Sequence, residues 1–234
     1  MENNIEKKLE QAPPEKKASW ITLRLVLALV LFIVTLFVFV AIADEVVIKN
    51  RYSFDKNISD GIHSMVSPAS TRVMQVITFF GSANFLFPAY IVLIVFYLLT
   101  KKRRLALDIT MIGLSSTGIL FLLKDLFKRQ RPLDPLISNV TGFSFPSGHS
   151  FSSFTFFGLL IYITWMSEIK KVWKIIIAIL LFAVAACIAF SRVYLRVHFP
   201  SDVIAGFCLS LVWLMVSLWI LHKADRGLSS SKKK

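Results

Sequence analysis

Residues 20–43 contain a single charged side chain, Arg24. About 20 consecutive apolar residues are what a helix needs to cross the hydrocarbon core of a bilayer. In lipid, a backbone that must satisfy its own polar groups does so as a helix or a closed barrel, and an apolar block of this length selects the helix. Comparable blocks follow at residues 84–99 (entered through a helix that begins near Pro68), 105–123, 150–166, 175–190 and 203–221. The sequence therefore predicts an all-α fold: a polytopic membrane helix bundle of about six transmembrane helices. Some twenty polar residues, with Pro13 and Pro14 among them, precede the first block, and no evident small-residue cleavage site follows it. It is expected to be a retained span and not a secretory signal. The chain divides into a cytoplasmic N-terminal segment at 1–19, a membrane domain at 20–222 and a basic cytoplasmic tail at 223–234.

Composition agrees: 56% of residues are hydrophobic and 18% charged, a balance unlike that of a soluble domain. The formal net charge of +13 raises the question of nucleic acid. The Lys and Arg fall in short clusters between apolar blocks, which is a topology signal and not a nucleic-acid-binding face. With the N-terminus inside, 17 of the 27 Lys and Arg lie on the cytoplasmic side, including Lys7, Lys8, the run Lys101–Arg104, and Lys232, Lys233 and Lys234. The positive-inside rule then predicts an N-in, C-in chain. Cys187 and Cys208 lie within apolar segments and are expected to be buried small hydrophobes, with neither a disulfide framework nor metal-ligand spacing. In this topology residues 44–82 are extracytoplasmic. Ile62, Met65, Val66, Val73, Met74, Ile77 and Phe80 recur there at near-helical spacing. Two readings stand: a re-entry segment packed on the bundle, or an amphipathic helix in the headgroup layer beside a lipid entrance.

Three polar segments do not fit the pattern of a plain membrane bundle. They are Lys124 to Pro132, Phe145-Pro146-Ser147-Gly148-His149-Ser150, and Ser191-Arg192 with His198-Phe199-Pro200-Ser201-Asp202. All three fall at the same, outer face. Lys124, Arg131 and Arg192 would supply cationic donors, and arginine can hold phosphate oxygens through two parallel hydrogen bonds. Ser147 suits a helix N-cap and Gly148 allows close approach of backbone to a ligand. Two helices start on this face, each with its positive end toward the site. Lys128 and Arg129 read as ordinary interfacial side chains that snorkel to water.

His149 and His198 stand beside these cations. Zinc is a poor alternative, because no third His or Cys is near and the cations would repel a metal ion. Asp202 follows His198 by four residues, close to one helical turn. It can accept a hydrogen bond from one ring nitrogen and leave the other free to face a ligand. His63 and His222 have no such company and are expected to be structural. Asp108 is expected to pair with the adjacent Lys-Arg run.

Taken together, Lys124 through Arg131-Pro132, Pro146-Ser147-Gly148-His149, and Ser191-Arg192 with His198 and Asp202 resemble the three-part signature of the type 2 phosphatidic acid phosphatase family, over about residues 82–221. The size and six-span layout are most similar to its bacterial members that act on phosphatidylglycerophosphate and undecaprenyl pyrophosphate. The resemblance implies a metal-independent, cofactor-free lipid phosphatase whose substrate lies in the outer leaflet. It implies His198 as nucleophile through a phosphohistidine, Asp202 as its orienting carboxylate, and His149 as proton donor and acceptor. It further implies that Lys124, Arg131, Ser147, Gly148 and Arg192 bind phosphoryl oxygens. Vanadium-dependent haloperoxidases share this signature but are soluble. A lipid-phosphate transporter or binding protein would need polar residues leading inward along the spans, and the charges here gather at one face.

Overall fold

The computed structural model describes residues 14–138 and 140–231. Part of the expected N-terminal segment (1–13) and the last lysines of the tail (232–234) therefore lie outside the described residues. The elements are α1 (Pro14–Ala43), continued by a π-helical turn (Asp44–Ile48), α2 (Ser53–His63), α3 (Pro68–Phe79), α4 (Ala83–Leu99), α5 (Arg103–Phe127), α6 (Gly148–Met166), α7 (Lys171–Tyr194) and α8 (Pro200–Ser231), with no strand among the described residues. The predicted all-α class is what the chain adopts.

Among the described residues, five helical segments are long and apolar enough to cross a membrane: Leu25–Ile48, Pro68–Leu99, Arg103–Phe127, Lys171–Tyr194 and Pro200–Lys223. They correspond to five of the six expected spans, and the second is indeed entered from Pro68. The remaining expected span, the fourth (150–166), is α6, and it falls short by hydropathy because its first half carries His149, Ser150, Ser152, Ser153 and Thr155. It occupies the middle of the bundle, packed between α7 and α8. Ser150, Phe151, Ser153, Thr155, Phe156, Phe157 and Leu159 are all buried there. A helix surrounded by protein need not be apolar all round, whereas one facing lipid must be. The outward faces show the complement: Leu25, Leu27 and Phe37 of α1, and Ile179, Leu180 and Phe182 of α7, are exposed.

Local signals place the breaks. Ser67 caps α3, its Oγ accepting from Ser70 N–H at 3.3 Å, and Pro68 follows in the first turn, where its missing N–H costs nothing. Lys128 closes α5 in a left-handed conformation, φ 49°, and its N–H returns to the Lys124 carbonyl at 3.0 Å. Arg104 pairs with Asp108 at 3.3 Å, as expected. Cys208 is buried, but Cys187 is exposed on α7 against the expectation, since an apolar neighbourhood in sequence is equally the signature of a lipid-facing surface. The segment 44–82 packs on the bundle through part of its apolar set. Ile62, Val66 and Met74 lie against Tyr194, Leu195 and Val197, while Met65 and Val73 remain exposed.

Two contacts fix the end of the bundle where α5 finishes, α6 begins, α7 finishes and α8 begins. Phe39 of α1, Phe127 and Phe145 form an aromatic group with centroids 5.0–6.3 Å apart, which seats the long 128–147 loop. Gly206 of α8 meets the start of α6 so closely that a Cβ there would stand 2.9 Å from the Ser147 carbonyl oxygen, 2.9 Å from Ser150 Cβ and 3.1 Å from Phe151 N. Two of those three atoms are backbone and cannot swing aside, so small size at 206 permits the helix–helix approach. Gly206→Ala is expected to cost about 1–3 kcal/mol by overpacking. It should lower the thermal midpoint of the detergent-solubilised protein, whereas an unchanged midpoint would show that the approach can relax.

Candidate active site

The first turn of α8 sets the geometry. Asp202 lies within that turn, and its Oδ2 accepts the N–H of Phe199, the residue just before the helix, at 2.9 Å. This is one half of a capping-box arrangement, with the carboxylate satisfying an otherwise orphaned donor at a positive helix end. The same oxygen lies 3.4 Å from His198 Nδ1 and accepts from Ser144 Oγ. Ser144 Oγ is itself 3.3 Å from His198 Nδ1. Asp202 is fully buried and His198 is 3% exposed.

The opposite ring nitrogen, His198 Nε2, stands 3.2 Å from Arg131 Nη1. A guanidinium can only donate, so Nε2 must present its lone pair, and the ring proton belongs on Nδ1 toward Asp202 and Ser144. This is the arrangement expected from the His198–Asp202 spacing. Burial pushes the His198 imidazole down to about 3, with Asp202 opposing and the nearby arginines assisting. The ring is accordingly neutral and its outward nitrogen nucleophilic.

The remaining residues singled out in the sequence are held at the same end of the bundle. Arg131 is held by three carbonyls: Nε donates to Gly142 O at 2.9 Å, Nη1 to Val197 O at 2.7 Å and Nη2 to Thr141 O at 3.1 Å. Gly142 turns with φ 74°, a region that favours glycine. Lys124 Nζ donates to Phe143 O at 2.6 Å, and Arg192 Nη1 to Thr78 Oγ1 at 2.6 Å. These three cations thus hydrogen-bond to neutral acceptors, which fix their positions without cancelling their charge. Ser147 caps α6 as expected, its Oγ accepting from Ser150 N–H at 3.4 Å. A Cβ at Gly148 would lie 3.3 Å from Leu120 Cδ2 and 3.7 Å from Lys124 Cε, so the lysine stem runs beside the helix start. His149 opens α6 with Gly81 against its ring; a Cβ at 81 would stand 3.2 Å from His149 Cδ2 and would collide with Ile188 Cγ2. A neutral imidazole nitrogen, three cations hydrogen-bonded to neutral acceptors and a helix N-terminus together can hold a tetrahedral oxyanion and attack its central atom. Among the described residues no group of three or more His, Cys, Asp or Glu side chains could hold a metal ion.

Arg129 corrects the sequence reading. It does not snorkel: it is 5% exposed, and its guanidinium bridges Asp202 Oδ1 at 2.6 Å and Asp55 Oδ2 at 2.7 Å. Lys128, its neighbour, is a surface residue as expected, 4.0 Å from Asp125. Asp55, Ser144, Thr78 and Gly81 also escaped the sequence reading. Each is a single common residue in a segment without periodic or motif signal, and only its three-dimensional contacts distinguish it.

Because the folded chain buries a neutral His198, it binds fewer protons there than the unfolded chain does. Stability from this ring is therefore present above the ordinary histidine pKa of about 6.5 and is lost as pH falls toward 3. Ring nitrogen NMR of the ligand-free protein should show His198 neutral, protonated on Nδ1, from about pH 8 down to about pH 5. A midpoint near 6.5 would contradict the buried-neutral geometry.

Comparison with known proteins shows the family. The model of the PAP2 superfamily matches residues 104–226. Phosphatidylglycerophosphatase B of Bacillus subtilis is 30% identical over 185 residues, covering 76% of this chain and 89% of that protein. The crystal structure of a transmembrane PAP2-type phosphatidylglycerolphosphate phosphatase from Bacillus subtilis superposes with TM-score 0.72 at 28% identity, over 84% of this chain and 96% of that one. The structure of Aquifex aeolicus LpxE superposes with TM-score 0.54 at 26% identity, over 71% and 95% respectively. With the family model matching more than half of its length, and its helical membrane fold shared along most of the chain, this protein belongs to the PAP2 superfamily.

Proposed function

We propose that this membrane lipid phosphatase cleaves the terminal phosphate of a lipid phosphate or pyrophosphate in the outer leaflet, with His198 as nucleophile. The observation that carries the reading is the two-sided grip on His198: Asp202 on Nδ1 and a phosphate-binding guanidinium, Arg131, beside Nε2. A phosphoryl oxygen taken up by Arg131 brings phosphorus to the nitrogen lone pair. The Nε2–P bond forms as the bond from phosphorus to the lipid oxygen breaks, and the departing oxygen takes a proton from His149. Water then attacks the phosphohistidine, His149 accepts the water proton, the P–N bond breaks, and free phosphate leaves with His198 neutral again. Lys124, Arg131 and Arg192, with the start of α6 at Ser147 and Gly148, stabilise the charge that spreads over the phosphoryl oxygens. Asp202 stabilises the ring while it carries phosphorus.

Phosphatidylglycerophosphate and undecaprenyl pyrophosphate are the proposed substrates. The Bacillus subtilis relative is named for the first, and the second follows from the resemblance of the signature. The proposed extracytoplasmic placement of the site is supported by the distribution of Lys and Arg between the two ends of the bundle, and the cell membrane is the proposed location.

Purified protein bearing His198→Ala should release no phosphate from either lipid above the buffer blank while remaining folded, with a cooperative thermal transition. Wild-type release should be unchanged by EDTA. Retained turnover in His198→Ala would remove that residue as nucleophile, and a strict need for added divalent ion would assign the charge stabilisation to a metal.

A further inference from the structure

Outside the residues that face the phosphoryl group, the most elaborately built polar cluster surrounds Arg129. Its Nη1 donates to Asp202 Oδ1 at 2.6 Å and Ser201 Oγ at 2.8 Å, and its Nη2 to Asp55 Oδ2 at 2.7 Å. Its guanidinium carbon lies 4.3 Å from the Phe199 ring centroid and 5.3 Å from that of Tyr52. Asp55 in turn accepts from Ser201 N–H at 2.8 Å and Ser201 Oγ at 2.7 Å, so a carboxylate from α2 caps the start of α8. All three charged groups are buried, Arg129 at 5%, Asp55 at 1% and Asp202 at 0% exposure.

The division of labour on Asp202 is specific. Arg129 holds Oδ1 alone, while Oδ2 serves His198, Ser144 and the Phe199 N–H. A planar guanidinium fixed by a second carboxylate and two rings has no freedom to let Oδ1 rotate. With Oδ1 pinned, Oδ2 cannot leave the imidazole. We propose that Asp55 and Arg129 are positioning residues for the phosphatase reaction: through Asp202 they aim His198 Nε2 at phosphorus. They touch no substrate themselves. A short helix outside the long spans thereby controls the nucleophile, and the segment 44–82 is part of the catalytic apparatus and more than a connection.

This inference rests on His198 being the nucleophile, and the test keeps the two apart. Full-length Arg129→Gln, Arg129→Lys and Asp55→Asn are assayed with dioctanoyl phosphatidic acid in detergent micelles, beside His198→Ala and Asp202→Asn. Thermal midpoint is measured for each. Arg129→Gln and Asp55→Asn should lower kcat by about 10–100-fold, the range for groups that orient a reacting residue from behind, with KM changed less than about 3-fold. Arg129→Lys should recover part of that loss. In an Asp202→Asn background, Arg129→Gln should add less than about 3-fold, because the group it acts through is already compromised.

Wild-type kcat in folded Arg129→Gln and Asp55→Asn would overturn the proposal, as would full additivity with Asp202→Asn. If Arg129→Gln does not fold, the near-isosteric Asp55→Asn decides by the same kcat criterion. Failure of every variant to fold would assign the cluster to stability and overturn it too. Turnover by His198→Ala would overturn the nucleophile reading. An inactive His198→Ala beside fully active Arg129 and Asp55 variants would overturn only the positioning role.

Discussion

The buried carboxylate of Asp202 is the interaction on which this end of the bundle depends. Taking an ionised group out of water costs several kcal/mol, and that cost is offset only where hydrogen bonds and opposite charge surround it. Asp202 meets the condition with donors from separate parts of the chain. Phe199 N–H comes from its own helix start, Ser144 and Arg129 from the 128–147 loop, and His198 from the α7–α8 connection. The Ser147 N–H donates to the Asp202 backbone carbonyl at 3.0 Å, which brings α6 to the same residue. This one residue thus ties the 128–147 loop, the α7–α8 connection and the start of α6 to the start of α8, and the meeting point is the candidate site.

Two kinds of cation result, and their partners tell them apart. Arg129 is neutralised by two carboxylates and buried, so it has little charge to offer a ligand. Removing one member of such a buried pair costs about 3–5 kcal/mol, so these contacts hold Asp55, Arg129 and Asp202 firmly in place. Lys124, Arg131 and Arg192 instead donate to carbonyls and to a hydroxyl. Their positions are fixed while their positive charge remains for an incoming anion, the condition under which preorganised electrostatics accelerate phosphoryl transfer.

The helical spans were legible because lipid imposes a strong and simple rule on composition, and α6 illustrates its limit. Its polar first half weakens the hydropathy signal, for the physical reason that neighbouring helices and not lipid surround it. The residues proposed to react were legible because they come in dense local motifs: Ser147-Gly148-His149 share a helix start, and His198 and Asp202 stand four residues apart. Arg129 was misread because it stands in the same basic run as Lys128 and Arg131, and sequence spacing alone cannot say which of three neighbouring cations turns inward. Asp55 was invisible for a different reason. It is 74 residues from Arg129 in sequence and 2.7 Å away in space, and no local pattern encodes that contact.

In the proposed reaction phosphorus passes through Nε2 of His198. Rapid-quench trapping addresses it directly: wild-type protein is mixed with lipid phosphate carrying a labelled terminal phosphoryl group, denatured within milliseconds in base, and digested for mass spectrometry. The account predicts an acid-labile, base-stable phosphoryl group on the peptide containing His198. A label on His149, or turnover that never leaves label on the protein at any quench time, would contradict it.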